Sequence, residues 1–349
     1  MGAIRFILAS LVVLQHIGGV PFVGAHAVVF FFVISGYLMT LVMHGSYGYS
    51  LPGFSRFWKN RILRLYPAYF FVAGLTVLVI LLMGDAFANV RLSALGIPAD
   101  LSGWLQNITM VFWNIQPNMV EPRISPATWA LTTELCFYAL ISLGLSRTRM
   151  MALGWFAISV VYTVYGFFQD QAFEYVYLTV TGGSLPFSCG ALLYHYRDET
   201  RRFTAGRETL LVSGLFGALL VVMAARLGLR LIMPADTANA AAIVLTILVA
   251  VGVTATVFAT SWRFLPKWLD KILGDLSYPI YICHWLSALV IGSLLGFQYH
   301  FKGAKALAFA GCTLALSCLI GLIIVHLIDR QVETVRGRIR SGESTPVTA

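Results

Sequence analysis

About ten runs of roughly 20 apolar residues follow one another along the chain, at 4–21, 26–44, 66–83, 126–146, 150–168, 175–194, 208–225, 238–260, 276–297 and 305–328. A helix rising 1.5 Å per residue needs that length to cross the hydrocarbon of a bilayer. The pattern therefore points to an all-α polytopic membrane protein with about ten transmembrane helices. Composition agrees: 58% of residues are hydrophobic, 11% are charged and the mean hydropathy is +0.80. A soluble core has no use for so much apolar surface.

The net charge of +9 would suit a nucleic-acid binder, but its distribution argues for topology instead. With the N-terminus inside, Lys and Arg gather on the inner side at Arg5, in 56–64, at Arg147 and Arg149, in 197–207, in 263–271 and in 330–340, which together hold 18 of the 24. Arg91, Arg123, Arg226, Arg230, Lys302 and Lys305 remain outside. Short basic loops stay cytoplasmic, so both termini are expected there, in a bacterial inner membrane, with lipids rather than nucleic acid around the chain. Arg5 and His16 interrupt the first apolar run, and removing it would leave an odd helix count; it is read as a helix, not a signal peptide. The five cysteines lie in apolar runs with neither a CxxC pair nor a histidine cluster at ligand spacing, so neither disulfides nor a metal are expected. Residues 1–336 read as one transmembrane domain and 337–349 as a short polar tail, expected to be disordered.

Function is sought among polar groups that a bilayer makes expensive. Glu134, in TWALTTELCFY, is the carboxylate set well inside an apolar run, and His16 and His284 are the histidines at comparable depth. Any of them can also serve as helix-packing glue. Arg5 and His16 are eleven residues apart, which on a 3.6-residue helix returns to within about 20° of the same face with about 16 Å of rise. One face then carries a cation near the inner surface and an imidazole, of ordinary pKa about 6.5, deeper in. In RILRLYP, Arg61 and Arg64 share one face at i, i+3 spacing, and Pro67 suits the first turn of the third helix. Paired guanidiniums at a helix start fit a phosphate-bearing ligand; anchoring to anionic headgroups fits them as well.

The chain resembles the acyltransferase-3 family of membrane O-acyltransferases along most of its length. Arg5 and His16 match an Arg/Lys-x10-His pattern in helix one, FFVISGYL (Phe31 to Leu38) an FFxISGxL element, and RILRLYP (Arg61 to Pro67) an RxxRxxP element. WALTTELCFY (Trp129 to Tyr138) is similar to WSLxxExxFY, with Ala130 in place of the usual Ser, and LGDLSYPIYICH (Leu273 to His284) to LGxxSYxxYLxH. The resemblance implies transfer of an acyl group, usually acetyl from acetyl-CoA, to a hydroxyl, commonly on a cell-surface or exported glycan or glycolipid. Arg61 and Arg64 would hold the CoA phosphates, Arg5 would guide the acyl end, and His16 would act as general base or as a covalent acyl relay. Glu134 would orient His16 or the acceptor, and Ser35, Trp129, Tyr281 and His284 would line the site. Some members continue into an SGNH-type domain; 21 residues follow position 328 here. The chain is thus expected to work alone or with a separate acyl-transfer or polysaccharide-assembly partner. Two other readings stay open: an acyltransferase acting on a small cytosolic molecule, and a transporter of glycan-type lipids without covalent chemistry.

Overall fold

The computed structural model describes residues 1–89, 92, 94–259, 265–295 and 302–341. Arg91, Arg263 and residues 342–349 lie outside the described residues. Among the described residues the chain is helical without a β-strand, apart from one isolated bridge between Leu95 and Arg123. The helices are α1 (Gly2–His16), α2 (Val23–Val42), α3 (Leu51–Met83), α4 (Leu101–Thr109), α5 (Trp129–Ser142), α6 (Arg149–Phe167) and α7 (Ser184–His195). They continue with α8 (Arg197–Thr204), α9 (Glu208–Leu229), α10 (Ala235–Ala259), α11 (Lys267–Leu294), α12 (Ala304–Ile324) and α13 (Arg330–Ser341). Each of the ten apolar runs overlaps one of these helices.

Six helical stretches among the described residues are long and apolar enough to cross a membrane: Val23–Tyr47, Leu51–Met83, Arg149–Phe167, Ala235–Ala259, Lys267–Leu294 and Ala304–Arg340. The helices of three other runs, α1, α5 and α7, are shorter than that, whereas α9 reaches 22 residues. The first run holds α1 with 15 residues. In 126–146 the chain makes a 3-10 turn before the 14 residues of α5. In 175–194 a π turn (Glu174–Leu178) and a 3-10 turn (Thr181–Gly183) precede the 12 residues of α7. Gly183 lets this segment approach α5 closely: a Cβ at that position would lie 2.4 Å from Thr133 Cγ2.

The interior is set by close approach of small residues, the device that lets apolar helices pack where lipid is as apolar as they are. Helix α2 lies at the centre against α7, α1, α10 and α5. At its crossing with α7, a Cβ on Gly36 would sit 2.1 Å from Phe187 O, and one on Gly190 would sit 2.1 Å from Val33 O. Helix α1 runs against α11, which also packs on α12 and α3. Asp270 of α11 accepts from the Ala3 backbone N–H at 2.9 Å and faces the Met1 ammonium at 3.2 Å. It thereby satisfies donors that the first turn of α1 leaves free.

Two sequence-based expectations change. Helix α3 begins at Leu51, where Ser50 accepts from the Gly53 N–H at 3.3 Å and Pro52 follows in the first turn. Pro67 is therefore well inside a 33-residue helix, and Arg61 and Arg64 project from mid-helix. The apolar run marks only the second half of α3. No free helix-start N–H groups accompany these arginines, since α3 is already hydrogen bonded through that region. Of the segment 337–349, the described residues belong to α13, which extends to Ser341.

Candidate functional site

A cavity of about 480 Å³ opens among α1, α2, α3, α5, α11 and α13. Arg5 reaches it from α1, Ser35 from α2, Arg61 and Arg64 from α3, and Glu134 with Tyr138 from α5. Lys271, Asp275, Tyr278 and Tyr281 line it from α11, and Asp329, Arg330, Glu333 and Arg336 from the turn into α13 and from α13 itself. Six cations thus face four carboxylates. The i, i+3 spacing in α3 turns both arginines to this one side, as their positions predict.

Pairing within the cavity is uneven. Arg336 is held by Glu333 and, through Nε at 3.1 Å, by Asn60 Oδ1, while Asn60 Nδ2 donates to the Arg336 carbonyl at 3.2 Å. That reciprocal bond clamps α13 onto α3. Arg5, Arg61 and Arg64 have no carboxylate within 4.0 Å among the described residues. Arg61 rests its guanidinium over the Phe57 ring at 5.6 Å and points Nη1 at Met39 Sδ at 3.6 Å, and its buried Nε has no partner. Half-buried guanidiniums without counter-ions are costly in a cavity of low dielectric. An anion from outside the chain would offset that cost.

Glu134 is bound at its Oε1 by the Ser35 hydroxyl and, at 2.9 Å, by the Tyr138 hydroxyl. The structure does not bring it to His16. Its charged neighbours are Arg5 and Arg61. His16 meets His284 instead, Nδ1 to Nε2 at 3.0 Å, and packs beside Trp285 with ring centres 5.3 Å apart. His284 is fully buried, and its Nδ1 lies 2.8 Å from the Tyr281 carbonyl oxygen. Neither histidine lines the cavity; the Tyr281 ring, which does, stands 6.5 Å from His284 and 6.3 Å from Phe31. Arg5 and His16 thus lie toward opposite ends of α1, the first in the cavity and the second outside it.

The long polar interruption, which carries α4, is held by its own hydrogen bonds. Asn107 Oδ1 accepts from the Ile124 N–H at 2.8 Å, and Arg123, 5% exposed, donates to the carbonyls of Pro126, Asn118 and Val120. Burial lowers the Arg123 guanidinium to about 10, with Glu121 opposing that shift, so it stays charged at neutral pH. The segment is fastened next to the histidines: Ser125 donates to Ile282 O and Tyr281 to Ala127 O, each at 2.8 Å.

Of the residues expected from sequence, Arg5, Ser35, Arg61, Arg64, Glu134 and Tyr281 share the cavity, His16 and His284 form a pair beside it, and Trp129 packs against Tyr177 away from both. Sequence reasoning missed Tyr138, Asp275, Asp329 and Arg336. Tyr138 sits one turn after Glu134 and was within reach of an i, i+4 argument; Arg336 was hidden by its resemblance to an ordinary positive-inside charge. Among the described residues no cluster of His, Cys, Asp and Glu could hold a metal ion.

No curated protein and no solved structure matches the chain. A family model described as an acyltransferase domain matches residues 1–326, a span containing the cavity's α1, α2, α3, α5 and α11 walls and the histidine pair, and on that match the chain belongs to the acyltransferase-3 family.

Proposed function

We propose that this membrane acyltransferase moves an acyl group, acetyl in the first instance, from acyl-CoA to a hydroxyl of a glycan or glycolipid. The observation that carries the reading is the set of Arg5, Arg61 and Arg64, without a carboxylate within 4.0 Å in one cavity, with His16 toward the other end of α1 from Arg5. A CoA thioester has the matching shape and charge: several phosphates at one end, a long neutral arm, and the reactive carbonyl at the other. Arg61 and Arg64 would bind the phosphates, with the Asn60–Arg336 clamp holding α13 as the remaining wall. Arg5 would help guide the acyl end inward. Glu134, fixed by Ser35 and Tyr138, would hold Arg5 and Arg61 in place when no donor is bound. The basic end of the bundle would face the cytosol, where acyl-CoA is available.

His16 would supply the chemistry. A sugar hydroxyl is a poor nucleophile at neutral pH, so the imidazole takes its proton as the oxygen attacks the thioester carbonyl. The tetrahedral intermediate collapses by breaking the C–S bond, and the departing thiolate recovers that proton from His16. The products are an ester and CoA–SH, and the imidazole returns to its starting form. The test is to incubate the purified protein in lipid with acetyl-CoA labelled in the acetyl group. Label appearing in a glycan or glycolipid acceptor, or slow release of CoA without one, supports transfer. A protein that carries a glycan-lipid across vesicles while consuming no acetyl-CoA is a transporter, and the proposal fails.

A further inference from the structure

The two imidazoles at the end of α1 and in the middle of α11 form a directional pair. The nitrogens are 3.0 Å apart, the ring centres 5.2 Å apart and the planes within 13° of each other. Each nitrogen lies roughly 1.1 Å from its own ring centre by ordinary covalent geometry, so this centre-to-centre distance is that of two rings meeting edge to edge in nearly one plane. That is a hydrogen bond near its best alignment, not a face-to-face stack. The second contact orients it. The Tyr281 carbonyl oxygen, 2.8 Å from His284 Nδ1, can only accept, so Nδ1 of His284 carries a proton. Among the described residues neither ring touches a carboxylate, and a fully buried imidazolium without one is expensive. His284 is therefore held neutral, with Nε2 bare.

We infer that His284 is a positioning residue: it fixes His16 as the Nδ1–H tautomer, donating to His284 Nε2, and so presents His16 Nε2 as the lone pair that takes the acceptor's proton. The inference rests on the transfer reaction proposed above and names the atom that performs it. During attack the hydroxyl proton moves to His16 Nε2. The resulting imidazolium keeps its Nδ1–H bond to His284, which stays neutral, and the thiolate then removes the proton from Nε2. A neutral imidazole anchored on a backbone carbonyl thus takes the place that a carboxylate holds in a hydrolase triad, where the third residue selects tautomer and ring orientation. The fit to a membrane interior is physical, because a neutral orienting group avoids burying an anion. His16 Nε2 has no partner among the described residues, as an available base requires.

The experiment uses full-length protein in lipid nanodiscs, labelled with imidazole-15N histidine, with the His16 signals assigned by their loss in His16→Gln. The expected spectrum shows His16 protonated at Nδ1 and bare at Nε2; the opposite tautomer overturns the inference. This readout needs no turnover. A protein in the expected tautomer that transfers no acetyl group would sink the proposed function and leave the hydrogen-bond assignment standing. An active protein with the opposite tautomer would do the reverse.

Kinetics supply the second arm. His284→Ala should lower kcat roughly 10²-fold, less than the ~10⁴-fold that follows when a triad ring is forced into the wrong tautomer, because the freed ring samples both forms. KM for acetyl-CoA should not move, since Arg61 and Arg64 are untouched. His284→Gln can set its amide oxygen near the former Nε2 and accept from His16, so it should recover most of the rate and restore the Nδ1–H signal. If the Ala and Gln variants are equally impaired, or both run at wild-type rate, His284 does not position His16.

Discussion

At the scale of single residues the proposed function places the burden on His16 and on Arg5, Arg61 and Arg64, and the two kinds of residue should fail differently. If His16 removes the acceptor proton, His16→Ala and His16→Gln should both fold, bind acetyl-CoA and lose about 10²–10⁴-fold in kcat, the usual worth of a general base. Glutamine keeps the size and part of the hydrogen bonding but cannot carry the proton. A His16→Gln enzyme of near wild-type rate, checked by initial-rate transfer, would remove this residue from the chemistry. Arg61→Ala and Arg64→Ala should instead act on affinity, because contacts to remote phosphates are made equally in ground and transition states. Each should raise the KM for acetyl-CoA roughly 10-fold, as expected for losing a charge-assisted hydrogen bond of about 1.5 kcal/mol. Lysine at either position should restore part of it, having charge without the planar fork. Normal saturation curves for both alanine variants would return these arginines to a lipid-anchoring role. Arg5, Arg61 and His16 were legible in the sequence as candidates, through spacing and through the family pattern. The His16–His284 bond was not, because it joins residues 268 positions apart and no local periodicity reports which helices meet.

At the scale of the helices, the close crossings decide whether the cavity has walls. Gly36→Ala would place a Cβ 2.1 Å from the Phe187 carbonyl oxygen, against backbone that cannot swing aside. The α2–α7 pair would have to separate, at a cost of about 1–3 kcal/mol for overpacking. Gly74 of α3 is the control, since a Cβ there meets nothing within 4 Å; Gly74→Ala should be neutral or stabilising, as alanine favours helix by about 1 kcal/mol over glycine. Thermal unfolding in the same lipid should show a lower Tm for Gly36→Ala than for Gly74→Ala, and equal values would mean the crossing is looser than the structure has it. The FFVISGYL element is thus explained by packing as much as by chemistry: Gly36 admits α7, while Ser35 beside it binds Glu134. The start of α3 was misread from sequence for an equally physical reason. A search for apolar runs finds the hydrocarbon-facing half of a helix and stops where charge begins, although the hydrogen-bonded backbone continues back to the Ser50 cap.

At the scale of the whole molecule the open quantity is the number of crossings, and contacts between loops bear on it. Arg5, Arg61, Lys271 and Arg330 share one cavity; Arg56 reaches the Tyr47 carbonyl, Arg147 lies over Tyr49, and Arg149 approaches Glu199 at 3.8 Å. A second set gathers elsewhere: the Val180 N–H donates to Ile115 O, the Phe173 N–H to Asp236, and Arg226 covers the Phe22 ring. Following the chain between the two sets takes it through α5 and α7, which are too short to qualify as spans alone. Such segments are admissible at membrane depth when protein rather than lipid surrounds their irregular backbone, and α7 is packed by α2, α6 and α10. Apolar length alone would not count such segments, and charge asymmetry supplies the expectation for them. The expected outcome is ten crossings with the basic set cytoplasmic. In a variant with its five native cysteines replaced, single cysteines at Asn114 and Asp170 should react with a membrane-impermeant maleimide on intact cells. Cysteines at Met150 and Glu199 should react only after permeabilisation. These pairs bracket α5 and α7, so Asn114 and Met150 labelling from the same side, or Asp170 and Glu199 doing so, would show that the short helix between them does not cross. All four labelling with the opposite sidedness would put the arginine-lined cavity outside the cell, away from acyl-CoA, and the proposed donor would fall with it.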